Sequence, residues 1–215
     1  MRRVTAALLA LVALAVLAGC GSSSGSGAPV TGVTRSDDDD GYHGILMAAP
    51  YGRSYAVPPV PLSDTAGREF VLATQPRRTL VFFGYTNCPD ICQIVMSTIA
   101  SALTRLSPAE RAHLRVAFVT TDPSRDTRPV LRTWLDRFDR DFVGVTGPLR
   151  AIVSLAKPMG IDILKGRKLS TGGYEVQHAT NVVAVRAGKG DLVWTASTSP
   201  ADMAADLKKI LKADA

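Results

Sequence analysis

Cysteine and histidine are both scarce in this chain, with three of each among 215 residues. That excludes a scaffold stapled by several disulfides, and it leaves any metal centre few side chains to draw on. Also lacking is a basic run with interleaved aromatics. The formal net charge is +6, and it falls to +4 once Arg2 and Arg3 are set aside with residues 1–19. Elsewhere the cations sit among acids, as in Asp136, Arg137, Asp139, Arg140 and Asp141. This is a solvated mixed-charge surface, so nucleic acid is excluded as a partner. No apolar run reaches the ~20 residues that a membrane-spanning helix needs. There is no internal repeat. A single domain of ordinary size can bury a full core unaided, which frees the cysteines for chemistry.

What the chain does have starts at its N-terminus. Met1-Arg2-Arg3 is a short basic start, and residues 5–18 are almost purely Ala, Leu and Val. That is a secretory leader in length and composition. It ends in Leu17-Ala18-Gly19-Cys20, which resembles a bacterial lipobox. The resemblance implies cleavage before Cys20 and acylation of its thiol and new amino group, anchoring the chain by lipid to the outer face of the cell membrane. We expect a lipoprotein signal peptide over 1–19, a lipidated Cys20 and polar tether over 20–55, and one folded domain over 56–213. Asp37 to Asp40 read as solvated charge within the tether. In an extracytoplasmic compartment disulfides persist, and two cysteines remain available there, Cys88 and Cys92.

Strand and helix patterns alternate along the domain. Residues 68–73 read as a short edge strand, and 78–85 as a central buried one. Residues 89–106 read as a helix with Ile91, Ile94, Val95, Ile99, Leu103 and Leu106 on its apolar face. A buried strand over 114–121 follows, then a helix over 127–138 with Pro129 in its first turn. A strand over 142–146 and a helix over 148–159 come next. Residues 161–164 and 174–177 suit a hairpin, as do 181–186 and 191–196 through Gly188-Lys189-Gly190. A helix over 200–211 closes the chain. The expected class is α/β, a mixed central sheet flanked by helices.

The chemistry concentrates at Cys88-Pro89-Asp90-Ile91-Cys92, directly after the central strand. With Pro89 starting the helix, Cys88 lies at a helix N-terminus, where partial positive charge lowers a thiol pKa. Cys92, four residues on, shares that helical face. The spacing suits a Cys88–Cys92 disulfide in the oxidised form and chelation of one soft cation in the reduced form. A disulfide closing so short a loop adds little stability. A third ligand would come from three histidines. His43 lies near the tether, and His113 lies between a helix end and a strand, where a solvated role is favoured. His178 lies just before a buried strand, at a strand end of the kind where functional loops gather.

Three blocks in order resemble the Sco/SenC family of copper chaperones. They are Phe83-Gly84-Tyr85-Thr86 leading into Cys88-Pro89-Asp90-Ile91-Cys92, then Thr121-Asp122-Pro123-Ser124-Arg125-Asp126-Thr127, then Tyr174-Glu175-Val176-Gln177-His178. The resemblance covers about residues 42–212. It implies a thioredoxin-like fold and a copper site of Cys88, Cys92 and His178. It also implies a role in delivering copper to the binuclear copper site of cytochrome c oxidase, with the copper-bearing oxidase subunit as partner alongside other copper chaperones or thiol reductants. Asp122, read from the residues as a turn former after Thr121, is placed by the resemblance beside the cysteine pair in a supporting role. Two departures stand out. Gln93 follows the second cysteine where family members often carry Pro. No proline occurs between Pro158 and Pro200 to face the cysteines, which argues against a general disulfide oxidoreductase.

Three functions follow for the pair. Thiolates and imidazole together suit copper handling. A thiol–disulfide reductase would use Cys88 to attack and Cys92 to resolve. A peroxide-reducing or redox-sensing role is the weakest of the three. A catalytic zinc site would require a carboxylate that the sequence does not place.

Overall fold

A computed structural model describes residues 41–47, 53–168, 174–178 and 180–214. The leader, Cys20, the Gly/Ser stretch and the four-Asp run lie outside these residues.

The strand Arg78–Gly84 (β5, counting four short strands before it) is buried at every position. Between Arg78 and Gly84 it consists of β-branched, aromatic and leucine residues with no turn former, so it sits at the centre of the sheet. On one side it pairs in parallel with Leu114–Thr120 (β6), Phe82 opposite Phe118. On the other it pairs antiparallel with Val182–Arg186 (β10), Val81 opposite Val183. Lys189–Trp194 (β11) extends the sheet beyond β10, and Ile45–Leu46 (β1) and Tyr55–Ala56 (β2) both pair with β11. Beyond β6 lie Val143–Thr146 (β7), Pro61–Asp64 (β3) and the edge strand Glu69–Val71 (β4). Ile163–Lys168 (β8) and Tyr174–His178 (β9) form a separate hairpin.

Alternation along β5 sends Leu80 and Phe82 to one face and Val81 and Phe83 to the other, giving two cores. The first is covered by Ile91–Leu103 (α1), by Arg128–Leu135 (α3, after the short Pro108–Ala112, α2) and by Pro200–Asp214 (α5). The second is covered by Leu149–Ala156 (α4). Among the described residues no helix is long and apolar enough to cross a membrane.

Several expectations are corrected. The first helix begins at Ile91 with Asp90 as its cap, so Pro89 and Cys88 stand outside it. Proline disfavours helical backbone for the residue before it, and the Asp90 carboxylate takes the Ile91 N–H. Its buried face runs through Cys92, Val95, Met96, Ile99, Ala102 and Leu103, while Ile94 is exposed. The last hairpin turns on Ala187-Gly188 alone, with φ of 48° and 72°. Positive φ at both turn residues matches the twist of the flanking strands, so Lys189 and Gly190 already belong to β11. The capping box of Ser107 and Glu110 starts a helix, α2, absent from the sequence reading.

The expected tether also gives up residues to the fold. Besides β1 pairing, the His43 and Gly44 N–H groups donate to the buried Asp206 carboxylate at 2.9 and 2.8 Å, and the Trp194 indole donates to it at 2.8 Å. A buried carboxylate held by three donors fixes this strap on α5, because leaving any of those groups unpaired would be costly.

Candidate metal centre

The site forms where β5 and β6 end side by side. The Thr121 N–H donates to the Gly84 carbonyl at 2.7 Å, tying the two strand ends. A Cβ on Gly84 would lie 2.9 Å from the Phe82 and Phe118 rings and 3.0 Å from Cys92 Sγ. Glycine is therefore what lets the Cys92 sulfur pack on the end of the strand. The chain then turns, with the Cys88 N–H donating to the Tyr85 carbonyl at 3.2 Å.

The neighbouring loop braces this turn. Asp126, which is 1% exposed, accepts from the Thr86 N–H at 3.0 Å, from the Thr86 hydroxyl at 2.6 Å and from the Thr120 hydroxyl at 2.7 Å. Burial pushes its carboxyl up, against the pull of these donors. Asp122 is buried too. The Thr120 hydroxyl accepts from its N–H at 2.9 Å, and its carboxylate takes the Ser124 hydroxyl at 2.7 Å and the Arg125 guanidinium. Arg125 in turn lies over the Tyr85 ring, 5.9 Å from its centroid. Asp122 thus shapes the loop, but the carboxylate that grips the cysteine turn is Asp126. The sequence block contained Asp126 without singling it out. Its position at the end of a short loop whose strand pairs with β5 is the signal that points to it.

Cys88 and Cys92 are 5% and 0% exposed, and no disulfide joins them. The Cys92 thiol donates to the Cys88 sulfur, and against the cost of burial the Cys92 and Asp90 N–H groups donate to it as well. Together they pull the Cys88 pKa down to about 6. These N–H groups belong to the unsatisfied donors of a helix start, where a thiolate is favoured. The shared hydrogen bond and burial push Cys92 strongly upward, with the charges of Cys88 and Asp126 adding to the effect. The pair therefore meets as expected, although not by sharing a helical face. Cys88 reaches Cys92 from the turn before the helix.

His178 ends β9, directly across from Ile163, and so comes shortly before the buried strand β10 at Val182. Ile163 packs against both cores, one of which contains the two cysteines. The imidazole lies outside the described side chains. His43 is bound to Asp206, Nδ1 to Oδ1 at 3.0 Å. His113 caps the C-terminus of α2 and is exposed. Among the described residues no three His, Cys, Asp or Glu side chains gather as a metal site.

The sequence pattern of the SCO1/SenC family matches residues 53–212. The chain belongs to the SCO1/SenC family. A Stutzerimonas stutzeri relative is 32% identical over 134 residues, which is 62% of this chain and 65% of the relative. The chain thus spans just under two-thirds of that relative's length. Apo Sco1 of Thermus thermophilus superposes with a TM-score of 0.67 at 26% identity, covering 78% of this chain and 98% of that one. Bradyrhizobium japonicum ScoI, solved with copper bound, superposes with a TM-score of 0.63 at 25% identity, covering 72% and 98%. The fold is thioredoxin-like, as the three sequence blocks implied.

Proposed function

We propose that this Sco/SenC chain is an extracytoplasmic metallochaperone that takes copper on Cys88, Cys92 and His178 and passes it to the binuclear copper site of cytochrome c oxidase. The supporting observation is a pair of buried, hydrogen-bonded cysteines with no disulfide between them just past the end of β5, in a family with a copper-bearing structural relative. The donor set fits the cargo, since thiolate sulfur and imidazole suit copper better than hard oxygen-seeking cations do. The helix N–H groups at Cys88 favour the deprotonated sulfur that a metal requires. Residues 1–19 serve as the signal peptide. Cys20 holds the acyl chains, and the partner is the copper-bearing oxidase subunit.

The test is a copper titration of the reduced protein beside a His178→Ala variant. Stoichiometric binding with a thiolate-to-copper charge-transfer band is expected, weakened by at least about tenfold in the variant. Absence of binding by the reduced protein would overturn the reading.

The asymmetry of the pair supports a second reading, thiol–disulfide exchange. The Cys88 thiolate attacks a substrate disulfide and forms a mixed disulfide as the outgoing sulfur leaves as thiolate. Cys92, once deprotonated, attacks Cys88 Sγ, closing the Cys88–Cys92 disulfide and releasing the second substrate thiolate. This activity survives His178→Ala, whereas the copper site does not.

A further inference from the structure

The end of the sheet opposite the thiols carries an open groove of about 660 Å³ between α2, α5 and the start of β5. Five cationic side chains, those of Arg77, Arg78, Arg186, Lys208 and Lys212, line it against two carboxylates, Glu110 and Asp214. Arg78 and Arg186 are committed to ion pairs with Asp214, and Arg78 also to Asp191. Exposed Arg77, Lys208 and Lys212 then face Glu110 alone. The groove therefore carries surplus positive charge, whereas Asp90, Asp122 and Asp126 cluster at the thiol end.

The described fold begins against α5, whose C-terminal residues line this groove. The Lys209 ammonium, also on α5, lies 4.1 Å from the centre of the Tyr42 ring, and a Cβ on Gly41 would lie 2.5 Å from it.

We propose that this basic groove is the surface on which the domain rests against an anionic phospholipid bilayer. Phosphate headgroups would neutralise Arg77, Lys208 and Lys212, with Lys209 beside the tether. The tether alone reaches at most about 70 Å, so it confines the domain without orienting it. A few cations then suffice to orient it, because anchoring makes the contact intramolecular. Resting on this end turns Cys88 and Cys92 away from the bilayer, with the length of β5, roughly 20 Å, between them and the lipid. There they are open to a partner's extramembrane domain. The orientation rests on the proposed anchoring of Cys20; the lipid affinity of the groove does not.

The test uses a chain beginning at Gly21, which keeps every described residue and has no acyl group. It is sedimented with vesicles of phosphatidylcholine alone, or with about a third phosphatidylglycerol, at low and high salt. Binding is expected only to the anionic vesicles, weakening as salt rises. Lys208→Gln with Lys212→Gln should weaken it about 25-fold, at roughly fivefold per cation. Arg128→Gln with Arg150→Gln, an equal charge change on exposed residues elsewhere, should leave it within about twofold. Both double variants should melt like the parent. Absence of binding to anionic vesicles, or an equal loss in both variants, would overturn the proposal. So would release by inorganic phosphate at constant ionic strength, which would make the groove a small-anion site. Mass spectrometry of the full chain for acylated Cys20 tests the anchor separately.

Discussion

The two ends of β5 treat a buried polar group in opposite ways. At its start the Arg78 side chain, 3% exposed, is saturated by Asp191 at 2.6 Å and Asp214 at 2.7 Å. Past its far end the Cys92 thiol and N–H both donate to the Cys88 sulfur, and the two thiols hold unequal acidities. The first arrangement leaves every charge matched and nothing to exchange. The second sets two sulfurs side by side, one made acidic by its neighbour. The same strand thus carries a closed electrostatic lock at one end and a pair of unequal thiols at the other. Stability and chemistry are separated along its length.

Substitution at each end should break that separation cleanly if it is real. Cys92→Ala is expected to abolish copper binding, a loss of at least about a hundredfold in titration, while the melting temperature moves by a few degrees. Arg78→Met should do the reverse. It removes the partner of Asp191 and leaves Asp214 with Arg186 alone, costing about 2–3 kcal/mol in urea unfolding, less than a fully buried pair because both carboxylates reach solvent, with copper affinity per folded molecule unchanged. Copper affinity falling in parallel with stability in Arg78→Met would show that the two ends are coupled.

Alkylation kinetics sharpen the thiol end alone. Cys88 should react with a midpoint near pH 6 in the reduced protein. Because the Cys92 thiol is the leading cause of that depression, Cys92→Ala should move the midpoint up towards the ordinary thiol value of about 8.5. An unmoved midpoint would assign the depression to the helix N–H groups instead.

The smallest effects concern two buried carboxylates of opposite sign. For Asp64, burial raises the pKa, but Arg68 and the backbone donors lower it further, so the net shift is downward. Its stabilisation is present above the unfolded value near pH 4 and is lost as pH falls through the lower folded value. For Asp126 the folded pKa is raised. Its contribution is present below the unfolded value and is lost as pH rises through the folded one. Melting curves at pH 3 and 7 should therefore show Asp64→Asn costing more at pH 7 than at pH 3. Relative to the parent, Asp126→Asn should fare better at pH 7 than at pH 3. The same sign for both would refute the contrast.

Much of this was legible in the chain because it depends on neighbours in sequence. The run over 78–84 reads as a buried strand from its own side chains, and a cysteine pair after it at a helix start follows from Pro89 and Asp90. The three blocks in order carry the family and the fold. The helix boundary was misplaced by two residues, since proline next to a capping aspartate fits either side of a helix start. Which apolar positions of α1 face inward depended on packing, so Ile94 was misread.

Other features needed the tertiary structure because they join residues far apart. The hold of Asp126 on Thr86 spans 40 residues, and that of Asp206 on His43 spans 163. No local pattern encodes such pairs. They exist because β5 lies beside β6, and α5 beside β11, once hydrophobic burial has chosen the sheet order. By itself the sequence determined the central strand, the ligand-bearing turn and the family. The folded chain decided how the two thiols face one another, which carboxylate braces them, and where the surplus cations collect, because each depends on which distant surfaces the core brings into contact.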